Sequence, residues 1–219
     1  MSGTPENTVG GDPVPRISVV MPVYNAERLL DECLAALCAS RGVAYEILVV
    51  DDGSTDRSRA IAEAHGCRVI ASGGRLGPAG ARNRGAEQAR GDIIFFVDSD
   101  VVVRPDTLSR LISAFADALV DGVIAVQAPS MRLRNVCSRY KNLWMYYTYA
   151  RRVGEDVPLF YTTAAAIRRR AFLGAGGFDL NYANPNVEDT DFGQKLARLG
   201  YRIRVLPDLE VEHVKGYDL

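Results

Sequence analysis

Four short apolar runs, at residues 17–21, 46–50, 68–71 and 93–97, alternate with stretches carrying helical signals at about 26–39, 56–65 and 79–90. Strands alternating with helices of about 10–15 residues predict an α/β protein with a mainly parallel sheet, because parallel strands need a crossover to return the chain. Near-continuous Ile, Val and Phe within the runs implies that both faces of that sheet are covered, giving a three-layer α/β/α sandwich. Leu29, Leu30, Cys33, Leu34 and Leu37 share one face of the first helix, and Gly66 and Gly91 close the second and third. Beyond Pro105, Leu108, Leu111, Ile112, Phe115 and Leu119 predict an amphipathic helix. Strands are expected at 123–127, 162–167 and 202–206, and a helix at 190–199 closed by Gly200. Residues 130–160 read as irregular and rich in Arg and aromatics. Residues 1–15, rich in Gly, Pro and Thr, read as a flexible tail before a single domain over 16–219.

The run at 93–97 leads directly into Asp98 and Asp100 in FFVDSD. Residues two apart on a strand point to the same side, so both carboxylates can meet one ligand at the strand end. Two hard oxygen ligands there suit Mg²⁺ or Mn²⁺ held together with substrate phosphates. The second run ends likewise in Asp51 and Asp52 of VVDDGSTD, and open α/β sheets bind ligands at their carboxyl edge. A phosphate-bearing substrate held through a divalent metal is the expectation. Ser54 and Asp56 fit helix capping as well as function. The Gly-rich loop and helix start at 73–85 could turn backbone N–H groups toward a diphosphate, or be a plain turn. Arg82 and Arg84 cannot both face one ligand, so one of them belongs to the surface.

A net charge of −1 gives no footprint for nucleic acid or for a polybasic membrane segment. Cys33, Cys38, Cys67 and Cys137 form no C-x-x-C pair, and buried reduced thiols in a cytoplasmic protein are expected. No run of about 18 uncharged apolar residues exists, and the first fifteen residues lack the apolar core of a signal peptide.

PVYN at 22–25, VVDDGSTD at 49–56, ARNRG at 81–85, FFVDSD at 95–100, GGFD at 176–179 and VEDTDFG at 187–193 follow one another in the order seen in family-2 inverting glycosyltransferases, which this chain resembles from Arg16 onward. The resemblance implies a GT-A fold with a Rossmann-like nucleotide-sugar-binding half at about 16–103 and an acceptor and catalytic-base half at about 104–219. It implies transfer of a sugar from a nucleoside diphosphate, UDP above all, to an acceptor hydroxyl on a glycan or a lipid-linked molecule in cell-envelope assembly. By the same resemblance Pro22, Val23 and Tyr24 line the base and ribose pocket, Asp52 reads the uracil edge, and Arg82 and Asp98 contact the donor. Asp100 binds a divalent metal (Mn²⁺ or Mg²⁺), with His213 as a further ligand, and Asp189 beside Glu188 is the catalytic base.

Several of these assignments have a plainer competitor. Tyr24 could be a half-buried core aromatic, His213 a surface residue, and Glu188 and Asp191 acidic residues favoured by a helix N-terminus. The aromatic group from Trp144 to Tyr161 reads as core packing, or else as an acceptor platform or membrane-facing patch. An aspartyl-phosphate phosphatase fits FFVDSDVVV but wants a later Asp pair and a downstream Lys, and only Lys141, Lys195 and Lys215 exist. An inactive nucleotide-sugar-binding relative and a nucleotidyltransferase also compete with the transferase reading. No Q-x-x-R-W motif or membrane span follows the acidic pair, which counts against a processive synthase. The ending soon after His213 suggests a catalytic part of a longer protein, located in the cytoplasm or peripherally at the inner face of the membrane.

Overall fold

The structure is a computed structural model that describes residues 14–129, 132, 135–152, 154–181 and 187–216. The expected N-terminal tail lies almost wholly outside them. In chain order the elements are β1 (Ile17–Val23), α1 (Leu30–Cys38), β2 (Tyr45–Asp51), α2 (Ser58–Ala64), β3 (Arg68–Ala71), α3 (Gly77–Gln88), β4 (Ile93–Val97) and β5 (Val101–Val102). They continue with α4 (Thr107–Ala114), β6 (Gly122–Gln127), α5 (Val136–Ala150), β7 (Ala164–Arg168), α6 (Arg169–Gly174), α7 (Glu188–Arg198) and β8 (Ile203–His213).

Eight strands form one sheet in the order β3-β2-β1-β4-β7-β6-β8-β5. β3, β2, β1 and β4 are mutually parallel, and β6 is parallel to β8. β7 is antiparallel to both its neighbours, as is β5 to β8. The chain builds outward from β1 through β2 to β3 and then returns to β4 on the other side of β1. That reversal opens a crevice beyond the carboxyl ends of β1 and β4.

Alternation along the strands sorts the core into two layers. Ile17, Val19, Met21 and Phe95 face Leu30, Leu34 and Leu37 of α1 and Leu108 and Leu111 of α4. Val20, Val50 and Phe96 face Ala86 of α3, Met145 of α5, Phe172 of α6 and Phe192 of α7. The sandwich has its three layers. On the second side Phe96, Phe160, Phe172, Phe178 and Phe192 interlock, with ring centroids as close as 4.7 Å for Phe178 and Phe192. This fixes α7 three residues past Asp189.

Two motif glycines set how closely helices dock. A Cβ on Gly85 would lie 2.4 Å from Cγ1 of Val20, so α3 sits against β1 only because that carbon is missing. A Cβ on Gly193 would meet the Leu159 and Phe160 backbone at 2.5–2.6 Å, which cannot yield. Gly193→Ala is therefore expected to push α7 outward, destabilising the fold by about 1–3 kcal/mol and lowering activity with it. Thermal unfolding and transfer assays check this, and an unchanged melting temperature would contradict it.

Four expectations need correcting. The 130–160 stretch contains the fifteen-residue α5, capped by the Asn135 side chain accepting from the Ser138 amide at 2.8 Å. Its apolar residues occupy two opposite sides of the helix, which hides the single-stripe period. α4 stops at Ala114, because the Arg168 guanidinium takes the Phe115, Asp117 and Val120 carbonyls, and Leu119 is 60% exposed instead of on the core face. β8 runs past Pro207 to His213, with a bulge that lets the ladder skip from Leu206 to Glu210. The four thiols are free, but only Cys33 is buried, and Cys38 is exposed.

Candidate active site

The end of β1 and the loop after β2 are stapled together before any ligand is considered. Asn25, at φ 48°, accepts from the Thr55 amide, and the Ser58 hydroxyl accepts from the Ala26 amide. Asp56 accepts from the Glu27 and Ser58 amides. Burial acts to raise the Asp56 carboxyl, but these hydrogen bonds together outweigh it and hold it below its ordinary pKa. Ser54 and Asp56 are therefore structural, as is Asp51, which accepts from the Ser54 amide.

One residue of VVDDGSTD faces the crevice. Asp52 is buried and accepts from the Leu76 and Gly77 amides at 2.8 and 2.9 Å, one on each oxygen. These amides are thus turned to Asp52 and not to a diphosphate, a correction to the expectation from the Gly-rich loop. Each oxygen keeps a second lone pair for a ligand. Tyr24 is 41% exposed, which rules out a core role, and the Arg75 guanidinium lies 4.0 Å over its ring.

The centre of the site is a buried charge cluster. Arg82, 4% exposed, donates to Asp98 at 2.7 Å and has Nη1 3.5 Å from Glu188, itself 6% exposed. Arg84 lies on the surface beside Glu87. Among the described residues Arg82 Nε and Nη1 have no hydrogen-bond partner. Donors left unpaired inside a protein are costly, so they suit a ligand oxygen. The aspartates of FFVDSD thus divide: Asp98 turns to Arg82, while Asp100 turns to His213.

His213 Nε2 lies 3.4 Å from Asp100 Oδ1, a buried oxygen with no hydrogen-bond partner among the described residues. Burial acts to raise the Asp100 pKa, but the His213 imidazole and Lys215 outweigh it and leave the carboxyl below its ordinary value. An ionised carboxylate with a spare oxygen beside an imidazole is a donor set that fits a divalent ion. No group of three His, Cys, Asp or Glu residues among those described could hold one alone, so the remaining ligands would come from a bound phosphate or water. His213 is buried, contrary to a surface placement.

α7 opens with Glu188 and Asp189 in its first turn. Asp189 is half-buried, and its pKa is raised by burial and then by Glu188, against the Thr190 amide and Arg82. Asp191, 3.9 Å from Arg198, does not line the cavity. A cavity of about 760 Å³ is lined by Pro22, Val23, Tyr24, Asp52, Arg82, Asp98, Asp100, Glu188 and Asp189, with His213 standing behind Asp100. Sequence reasoning missed Thr162 and Thr163 in its wall, because a Thr pair before an apolar run reads as the start of a strand.

The family description "Glycosyl transferase family 2" matches residues 18–174. The chain belongs to glycosyl transferase family 2. This family-2 glycosyltransferase is 42% identical, over 113 residues, to the undecaprenyl-phosphate 4-deoxy-4-formamido-L-arabinose transferase of Pseudomonas paraeruginosa, covering 48% of this chain and 33% of that protein. The chain thus spans about a third of that relative. Its fold is that of GT-A glycosyltransferases. The mannosyltransferase PcManGT from Pyrobaculum calidifontis, solved in complex with GDP-Man and Mn²⁺, superposes with a TM-score of 0.76 at 25% identity, covering 91% of this chain and 57% of that one. TarS 1–349 of S. aureus, in complex with UDP-GlcNAc, does so at 0.72 and 25%, covering 93% and 60%. Among the described residues no helix is long and apolar enough to cross a membrane.

Proposed function

We propose that this glycosyltransferase domain moves a sugar, with inversion, from a UDP-sugar to a hydroxyl of a lipid-linked or glycan acceptor in cell-envelope assembly, at the inner face of the membrane. One observation carries the reading: the base-pocket residues, the aspartates of FFVDSD and the half-buried Asp189 all line the same cavity. Tyr24 and Asp52 hold the base, with the spare lone pairs of Asp52 accepting its N–H. Arg82 and Asp98 hold the donor sugar. Asp189 takes the proton of the acceptor hydroxyl as its oxygen attacks the anomeric carbon, on the face opposite the diphosphate. The bond to the diphosphate oxygen breaks with its electron pair, and the diphosphate departs. A divalent ion bound by Asp100 and His213 would supply charge neutralisation for that leaving group. The Mn²⁺ complex of the Pyrobaculum enzyme supports the metal.

Calorimetry tests both donor and metal. UDP is expected to bind in Mn²⁺ and to lose most of its affinity in EDTA, with Asp100→Asn giving the same loss. Equal affinity in EDTA would remove the metal role of Asp100. UDP is also expected to outcompete GDP and CDP. A preference for GDP, the nucleotide of the Pyrobaculum complex, would overturn the role given to Asp52.

A further inference from the structure

The proposed chemistry uses none of the outward face of α5. Val136, Tyr140, Leu143, Trp144 and Tyr147 recur at the three- and four-residue spacing of one helical stripe and are 36–82% exposed. Ser138, Asn142, Met145 and Tyr149 form the buried stripe. At about 100° per residue the two stripes lie roughly 170° apart, so the apolar residues of the outer stripe point away from the side that the helix buries. Exposed Arg139 and Lys141 flank the outer stripe on either side, and exposed Arg151 and Arg152 follow the last turn.

The charge along this stretch of the sequence is one-sided. Between Asp121 and Glu155 there is no acidic residue and there are six basic ones, Arg132, Arg134, Arg139, Lys141, Arg151 and Arg152; Arg132 is paired with Glu32 and Glu212, and the four on α5 and at its end are exposed. The rest of the chain therefore carries −7 against the −1 of the whole, a segregation that the net charge conceals. Tyr and Trp between Arg and Lys suit a bilayer interface, where rings sit among headgroups and long cationic stems reach the lipid phosphates. A second copy is a poor occupant. A twofold contact would set two identical basic arrays against each other. The buried side of the same helix reaches the catalytic cavity, since Tyr149 stacks at 5.5 Å on Tyr161, which lines it.

We propose that α5 is an interfacial helix whose Tyr140, Trp144 and Tyr147 stripe seats in the headgroup layer of an anionic bilayer, with its flanking Arg and Lys on the lipid phosphates. This seating would hold the cavity next to a membrane. Its occurrence does not depend on the transfer reaction, and the experiment reads the two separately.

Trp144 is the only tryptophan of the chain, so its emission reports on this face alone. The full chain is mixed with phosphatidylcholine vesicles with and without phosphatidylglycerol. Emission should shift to the blue and resist acrylamide quenching only with phosphatidylglycerol, and the effect should reverse in about 0.5 M salt. One basic residue near an anionic surface is worth about fivefold in partitioning, so Arg139→Glu with Arg151→Glu should lower the vesicle-bound fraction at least about tenfold. Tyr140→Ser with Tyr147→Ser, which keeps the reporter, should do the same. Calorimetric UDP affinity should be unchanged in both. Unchanged Trp144 emission with every vesicle, equal binding to neutral vesicles, or a vesicle-free dimer that buries Trp144 would each overturn the proposal. Vesicle binding in a protein that binds no nucleotide would leave it standing while removing the transferase reading.

Discussion

Asp189→Asn is expected to lower transfer by about 10²–10⁴-fold, the usual contribution of a general base, while leaving donor binding and folding intact. Asn keeps the oxygen that accepts from the Thr190 amide at 2.7 Å but cannot take a proton. Stability gives the sharper control. Burial, and then the charge of Glu188, raise the Asp189 pKa above its ordinary value. The native state therefore prefers the protonated acid, and the ionised carboxylate weakens the fold at neutral pH. That penalty is relieved as pH falls through the raised value toward the ordinary carboxylate value of about 3.9. The neutral Asn escapes it, so the variant should melt no lower than the parent at neutral pH. A carboxylate kept only for the helix dipole would give the reverse order.

The same shift places the acid limb of the rate profile. Transfer should fall as pH drops through the raised Asp189 value, higher than an ordinary aspartate would put it, and Asp189→Asn should lack that limb. Asp191→Asn, at a residue beside Arg198 and away from the cavity, should change the rate only a few-fold. The loss also reports the acceptor. A hydroxyl needs a base, whereas a phosphate oxygen is already ionised at neutral pH. Near-normal turnover of Asp189→Asn on a hydroxyl acceptor would contradict the role of Asp189.

Arg82→Ala is expected to have the largest effect on the fold. It leaves Asp98 and the buried Glu188 without their shared cation. Removing one partner of a buried ion pair costs about 3–5 kcal/mol. For a domain of this size that lowers the melting temperature by roughly 6–20 °C. Arg82→Lys keeps the charge, but a single ammonium on a flexible stem cannot bridge both carboxylates, so it should recover part of the stability and little of the donor affinity. Thermal unfolding with and without UDP-sugar checks both variants. An Arg82→Ala protein as stable as its parent would contradict the account of the cluster.

What could be read in the sequence follows from where each constraint resides. β1, β2 and β4 are buried on both faces, so their composition declares them. The site residues at the carboxyl ends of those strands are legible for the same reason, since Asp98 and Asp100 directly follow an apolar run. α5 was hidden because its second stripe faces outward and masks the period of the first. β8 was cut short because Pro207 argues against a strand, and only the register shift opposite Ala125 and Val126 shows how the ladder resumes to deliver His213. The cluster of Arg82, Asp98 and Glu188 joins residues far apart in the chain, and no spacing rule announces it. Asp52 could be placed in the crevice from sequence. Its grip on the Leu76 and Gly77 amides could not, because that depends on how the loop at 73–77 closes.

Inverting transfer with Asp189 as base is read out by proton NMR of a UDP-α-sugar incubated with the chain, Mn²⁺ and an alcohol acceptor. The transferred sugar should appear first as the β-anomer in the parent protein, and Asp189→Asn should nearly abolish its formation. Retention of the α-configuration, or equal rates in the two proteins, would contradict that mechanism.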